Sequence, residues 1–586
     1  MSTERAVLHG TPVSSGIAIA KAYVYRKSEM HVQEERFAQG QEREQLLAFE
    51  EVCGRAEGEL DALCGASAEE DASKTQILAA HREILRDEEV LGEIREAISR
   101  ERLTPASAIY RVYTQFAELL AGVEDKLIAG RAADLYDVRD RLLRICMGGE
   151  NRDLSMLSED VIVVAHDLLP SDTATMDRAH VKGIVTETGG ANSHSAILAR
   201  SFRIPAILGV PDALSRIEDG VLLAMDATTG ELFPKPEEEV TEKLSQKREQ
   251  LAESRRREET YRDRPALTKD GTRLQIGLNL GGKKSEPSGQ FYDFVGLFRT
   301  EFLYMEAETL PDEETQFAAY RRVVEQAEGR PVTLRTLDIG GDKTLPYIEL
   351  PKEDNPFLGK RALRLCLDET ALFQTQLLAA LRASAYGRLQ IMFPMVGSIE
   401  DIRRAKEQLA LAKRTLDERG AVYDPEIRVG IMIEIPSIAL LADLAAQEVD
   451  FASIGSNDLT QYVCAADRMN PQVSDFYQNL SPAMLRLLSY VFSEFTKRGK
   501  EISVCGEMAG DPASAVLLSG LGARKLSMSP ANVSGVKAAL AAISIEDAEK
   551  LAQRCMQMPT EAEVRQYLYS MLSEKQNRID KATLVH

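Results

Sequence analysis

Between Leu274 and Ser529 one theme recurs eight times: a short apolar run, turn residues, then in most gaps a stretch with helical spacing. The runs are LQIGLN at 274, FVGLF at 294, VTLRTLD at 332, LQIMFPMV at 389, VGIMIEIP at 429, FASIG at 451, ISVCGE at 502 and KLSMS at 525. Each has the length and the turn-residue boundaries of a strand. Segments such as ALFQTQLLAALRASA fill most of the gaps as helices. Eight strands alternating with helices predict a (β/α)8 TIM barrel, and the span is close to the usual size of about 250 residues. The barrel domain is assigned to 266–586.

Upstream, the pattern changes three times. Residues 1–28 hold strand material around GTPVSSGIAIAKAYVY, and 29–147 turn helical, with three- and four-residue apolar spacing in TQILAAHREILRDEEVLGEIREAI. Over 148–233 the short apolar runs VIVVA, GIVTE, PAILG and LLAMD alternate with helices. The helical block is therefore expected to be inserted into an α/β domain made of 1–28 and 148–233. The segment 234–265 is almost wholly charged, with apolar anchors only at Val240, Leu244 and Leu251. It reads as a solvated helical linker supported by opposite charges four residues apart.

Composition narrows the function classes. No run of 18 apolar residues exists, which argues against a membrane span, and MSTERAVLHG lacks an apolar signal core. The 7 cysteines form no CxxC pair, as expected of a chain in a reducing cytoplasm without a disulfide framework. A net charge of -21 makes nucleic acid an improbable partner. An anionic substrate needs arginines gathered against that overall field.

Those arginines stand where barrel chemistry collects, at the C-terminal strand ends. Strand 2 ends in Arg299, strand 3 carries Arg335 and Asp338, and Arg361 and Arg468 follow in the loops after strands 3 and 6. One arginine is usually a surface solubiliser; four at one mouth predict a cradle for a ligand with more than one anionic group. Strand 5 ends in Glu434 and strand 6 runs into Asn457 and Asp458. Neighbouring strands lie about 4.8 Å apart, so Glu434 and Asp458 are expected to share one hard cation, Mg2+ rather than zinc. Cys505 ends strand 7; a lone cysteine is usually an inert core residue, but a neutral thiol there can protonate a carbanion.

A second centre is the stretch TETGGANSHSAILAR, in a chain with only 7 histidines. A helix is expected to begin at or near His194, where free N–H groups favour a neutral ring and welcome a phosphoryl group. Gly189 and Gly190 permit close backbone approach. His81 and His180 are read as packed or capping residues.

GGANSHSAILAR resembles the phosphohistidine signature of phosphoenolpyruvate-using phosphotransferases. VGLFRTEFLYM, LRTLDIGGDK, NPFLGKRALR, IGSNDLTQY and CGEMAGD resemble the barrel motifs of enzyme I of the bacterial sugar phosphotransferase system. The resemblance implies a phosphohistidine swivelling domain (1–28 and 148–233) and an inserted helical domain that binds the carrier HPr (29–147). It further implies a barrel that binds phosphoenolpyruvate and forms a homodimer. His194 would accept the phosphoryl group, with Thr173 hydrogen-bonded to it. Arg299, Arg335, Arg361, Asn457, Asp458 and Arg468 would hold the substrate, and Glu434 and Asp458 the Mg2+. Cys505 would complete pyruvate by protonating the enolate. The gap between the first two barrel strands is shorter than the family pattern, so a truncated helix is expected there.

Three rivals remain at this level. Pyruvate phosphate dikinase or phosphoenolpyruvate synthase shares the histidine and barrel modules, but no GxxxxGK[ST] loop or nucleotide-grasping region is present. A catalytically idle phospho-carrier scaffold would not need the acids, arginines and thiol. A barrel aldolase would explain Glu434 and Asp458 but leave His194 without a role.

Overall fold

The computed structural model describes residues 7–26, 32–67, 80–121, 132–148, 154, 157, 159–168, 172, 176–190, 193–202, 204–282, 290–305, 307, 309–340, 345, 347 and 353–583. The chain divides into two compact units, Met1–Ala252 and Glu253–His586.

The first unit is built on a sheet of β1 (Leu8–His9), β2 (Thr11–Ser14), β3 (Ile17–Tyr25), β4 (Val161–Ala165), β5 (Val181–Thr186), β6 (Ala206–Leu208), β7 (Leu222–Asp226) and β8 (Glu231–Pro234). The spatial order is β1-β8-β7-β3-β4-β5-β6-β2. Strands β3 to β6 run parallel, and the flanking pairs are antiparallel. All five residues of β4, VIVVA, are buried. Ile162 and Val164 enter one apolar cluster and Val161, Val163 and Ala165 another, so the central sheet is covered on both faces, as parallel sheets require.

Between β3 and β4 in chain order come the helices Glu42–Ser67, Glu88–Glu101, Pro105–Ala121 and Ala132–Cys146. They close around a core of their own that includes Phe49, Leu60, Ile94, Tyr113 and Leu142. The helical run around residue 87 does not continue unbroken. Asp87 accepts hydrogen bonds from the N–H groups of Glu89 and Val90 and so caps a new helix.

The charged helix Glu238–Glu259 is not solvated throughout. Leu244 is buried with Ile17 and Ala224 on the sheet, and Lys247 pairs with the buried Asp226. Leu251 remains exposed.

The second unit is a closed barrel. Its strands are β10 (Arg273–Leu280), β11 (Phe294–Phe298), β12 (Val332–Arg335), β13 (Leu389–Phe393), β14 (Arg428–Ile433), β15 (Phe451–Ile454), β16 (Glu501–Val504) and β17 (Lys525–Met528). Short β9 (Ala266–Leu267) pairs antiparallel with β10. Every barrel strand is parallel to its neighbours, and β10 pairs with both β11 and β17, which leaves no free edge. Helices such as Glu313–Gln326, Thr370–Ser384 and Ile399–Glu418 cover the outside. Ser398 and Asp401 start the last of these with a reciprocal capping box. Inside, Leu297, Met392, Met432, Phe451 and Cys505 pack together, so the barrel is filled rather than hollow. Residues 283–289, in the gap where a truncated helix is expected, lie outside the described residues.

Candidate active site

The eight runs of the sequence coincide with β10–β17, and their ends place the acids and arginines at one mouth. Glu434 follows β14 directly and is 1% exposed. Its Oε1 accepts the N–H of Met395, a residue held in the left-handed region at φ 53°. Asp458 lies in the first turn of the helix Ser456–Cys464, which follows β15, and is also buried. Burial, then the negative charges of Asp458 and Asp338, push the Glu434 carboxyl up to about 8, against the partial relief of Arg335 and Arg361.

Two of the arginines are buried as well. Arg335, ending β12, reaches Glu301 Oε1 at 2.6 Å through Nη2 and Asp338 Oδ2 at 2.9 Å through Nη1. Arg361 meets the other oxygen of Asp338 at 2.9 Å and Asp458 Oδ2 at 3.6 Å. Burial disfavours both charges, but the surrounding carboxylates outweigh it and hold both guanidinium groups above their ordinary range. These cations are permanent. Arg468 lies 3.4 Å from Asp458 Oδ1. Arg299 is exposed, with its stem over Gly281; crowding at the mouth and then the like charge of Arg335 lower its pKa.

Several buried polar atoms here lack a hydrogen bond among the described residues: Arg335 Nε, Arg361 Nη1, Glu301 Oε2, Ser456 Oγ and Asp458 Oδ1. Buried polar groups are normally satisfied, so this concentration of donors and acceptors without hydrogen bonds, of which Asp458 Oδ1 has only its ion pair with Arg468, suits a polar ligand. Asn457 turns its Oδ1 to the N–H of Glu507 at 2.9 Å, tying the ends of β15 and β16 together. Cys505 donates its thiol to the Ile454 carbonyl at 3.6 Å, and burial raises its pKa, keeping it protonated.

The mouth thus brings together seven of the residues singled out in the sequence: Arg299, Arg335, Arg361, Glu434, Asp458, Arg468 and Cys505, with Asn457 on its rim. The structure adds three residues to which the sequence alone assigns no role: Asp338 on its strand, Glu301 and Ser456. Glu301 had a signal, since it stands two residues past Arg299 in FRTEF. Ser456 had none, because its hydroxyl matters only through its burial.

His194 belongs to the other unit. It is the first residue of the helix His194–Phe202, as expected. Ser193 accepts the N–H of Ala196 at 3.3 Å as a cap, and Ser195 donates to the Leu168 carbonyl at 3.1 Å. Gly189 takes φ 98°, where a side chain would be strained. Gly190 accepts the N–H of Ser193 at 3.0 Å. Thr173 lies outside the described residues. His81 is buried 3.4 Å from Asp134, and His180 pairs with Asp177 at 2.8 Å, so both have structural partners.

Three family descriptions match the chain: "PEP-utilising enzyme, N-terminal" over residues 9–131, "PEP-utilising enzyme, mobile domain" over 157–230 and "PEP-utilising enzyme, PEP-binding domain" over 255–545. The phosphoenolpyruvate-protein phosphotransferase of Bacillus subtilis (strain 168) is 40% identical over 563 residues, 95% of this chain and 98% of the relative. That of Staphylococcus carnosus (strain TM300) is 39% identical over 560 residues, 95% of this chain and 97% of the relative. A solution structure of an enzyme I protein is 33% identical, covering 42% of this chain and 99% of its own, with a TM-score of 0.39. The chain belongs to the phosphoenolpyruvate-protein phosphotransferase family.

Proposed function

We propose that this chain takes the phosphoryl group of phosphoenolpyruvate onto His194, releases pyruvate, and passes the group to a histidine of the carrier HPr at the start of sugar uptake. The observation that carries the reading is the gathering of Arg299, Arg335, Arg361 and Arg468 around the buried carboxylates Glu434 and Asp458 at one barrel mouth. Membership of the family supports it.

The arginines bind and orient the phosphate and carboxylate of the substrate by bidentate, charge-assisted hydrogen bonds. The His194 ring nitrogen attacks phosphorus; the N–P bond forms as the bridging P–O bond breaks and its electron pair stays on the enolate. Cys505, kept neutral by burial, delivers its proton to the terminal enolate carbon to complete pyruvate. Asn457 assists at the phosphate, and Thr173 holds the histidine.

Glu434 and Asp458 fit a hard divalent ion. Burial and then the charge of Asp458 raise the Glu434 carboxyl, and Asp458 Oδ1 is buried without a hydrogen bond among the described residues. Among the described residues no three His, Cys, Asp or Glu side chains group as a metal cage, so substrate oxygens and water would complete the shell. Mg2+ held there would neutralise charge developing on the transferred group.

In this reading 1–28 and 148–233 form the phosphohistidine domain, 29–147 docks HPr, 234–265 links, and 266–586 binds substrate and pairs two copies as a homodimer. The cytoplasm is the setting; among the described residues no helix is long and apolar enough to cross a membrane. The test is phosphoenolpyruvate-dependent labelling of the chain and its His194→Ala variant. Label is expected on the parent alone, and label accumulating on the variant would refute the role of His194.

A further inference from the structure

Gln376 lies on the helix Thr370–Ser384, 1% exposed, among Phe373, Leu377 and Ala380. An amide in such surroundings is costly unless its hydrogen bonds are made. Here they are. Its Oε1 accepts the N–H of Leu337 at 2.8 Å, and its Nε2 donates to the hydroxyls of Thr300 at 3.2 Å and Tyr320 at 3.1 Å. The Thr300 hydroxyl donates onward to the carbonyl of Arg335 at 3.0 Å.

The two backbone segments held by this amide are the ones that carry the arginine cradle. Thr300 sits between Arg299 and Glu301 after β11, and Leu337 sits between Arg335 and Asp338 after β12. Those four residues include both carboxylates that grip the Arg335 fork, Glu301 Oε1 at 2.6 Å and Asp338 Oδ2 at 2.9 Å. The orientation of Arg335 therefore depends on how the end of β11 is set against the end of β12. Apart from the Arg335–Glu301 pair itself, the Thr300 hydroxyl bonds these two ends together, and Gln376 fixes that hydroxyl and Leu337 in common. Tyr320 is itself held, donating to Gln316 at 2.9 Å, which fixes the outer side of the amide.

We infer that Gln376 is a positioning residue for phosphoenolpyruvate: through Thr300 and Leu337 it sets the Glu301–Arg335–Asp338 fork that receives the substrate. It touches none of the reacting atoms. The inference rests on the reading of the barrel mouth as the substrate site.

The test uses the full-length chain and three variants. Gln376→Met removes the amide at similar volume; Thr300→Val removes only the hydroxyl; Thr300→Ser restores it. For each, kcat and KM are measured for pyruvate formation from phosphoenolpyruvate, together with the rate of onward transfer from phosphorylated His194 to the carrier. Gln376→Met and Thr300→Val are expected to lose kcat/KM on the order of ten- to a hundredfold, the scale of a small misplacement of binding groups. Thr300→Ser should stay within about twofold, and onward transfer should be unchanged in all, because it uses the other unit.

A folded Thr300→Val with parental kcat/KM overturns the inference, as does a Thr300→Ser variant as impaired as Thr300→Val. Equal slowing of onward transfer also overturns it, since that marks general damage. If Gln376→Met does not fold, the Thr300 pair alone decides. A parent chain that phosphoenolpyruvate does not label overturns the underlying reading as well, whereas a labelled parent with an indifferent Thr300→Val overturns only the role of Gln376.

Discussion

Asp338 and Arg361 face each other at 2.9 Å with both side chains 2% exposed, and the other oxygen of Asp338 holds Arg335 at the same distance. One buried carboxylate thus organises two of the cations proposed to hold the substrate. Removing one partner of a buried ion pair leaves the rest uncompensated, a cost of about 3–5 kcal/mol. Asp338→Ala is expected to lower the stability of the barrel by that order in urea unfolding, and to weaken phosphoenolpyruvate binding. Asp338→Asn, which keeps an acceptor oxygen, should lose less stability yet still lose affinity.

Glu434 gives the site a pH signature. Its carboxyl is pushed up to about 8 from an ordinary 4.5, first by burial and then by Asp458 and Asp338. Between those values the folded chain holds a proton that the unfolded chain has lost, so stability falls as pH rises through this window. Below 4.5 both states are protonated and the contribution is complete. Binding of Mg2+ should expel that proton. Titration calorimetry at pH 7, in buffers of different ionisation heat, is expected to show proton release by the parent chain and none by Glu434→Gln.

Gly506 is an opposite kind of constraint, one of space. A Cβ there would sit 1.9 Å from Ser456 Oγ and 2.7 Å from the Ser456 backbone nitrogen. The hydroxyl can rotate away, but the backbone nitrogen cannot. Gly506→Ala is therefore expected to displace the first turn of the Ser456–Cys464 helix, which carries Asn457 and Asp458. Overpacking of this kind costs about 1–3 kcal/mol. The variant should fold, bind Mg2+ more weakly and turn over more slowly, by the same calorimetry and by pyruvate release.

Cys505 is proposed to act after the phosphoryl group has left. Cys505→Ala is expected to lower kcat for pyruvate formation by about 10²–10⁴-fold, the usual share of a general acid, with little change in KM for phosphoenolpyruvate. Deuterium incorporation from solvent into pyruvate checks the step. An unchanged kcat would remove the thiol from the mechanism.

Much of this architecture could be read along the chain. The eight barrel strands stand where their apolar runs stand, and His194 opens its helix because Ser193 can cap it. Such features are local: they depend on side-chain periodicity, turn residues and capping groups within a few positions of one another. Local reading also had limits. Asp87 divides a run whose apolar spacing alone gives no reason to stop, and Leu244 in the charged helix is buried on the sheet.

The sequence by itself determined which residues stand at the strand ends, and hence that acids and arginines would meet at one mouth. Only the tertiary structure decided how they pair. Asp338 reaches across 23 positions to Arg361, and Gln376 across 76 to Thr300, in a helix whose sequence offers nothing but an apolar run with a polar interruption. Closing β10 against β17 sets which strand ends become neighbours, and burial then forces each charge and amide brought there to find a partner.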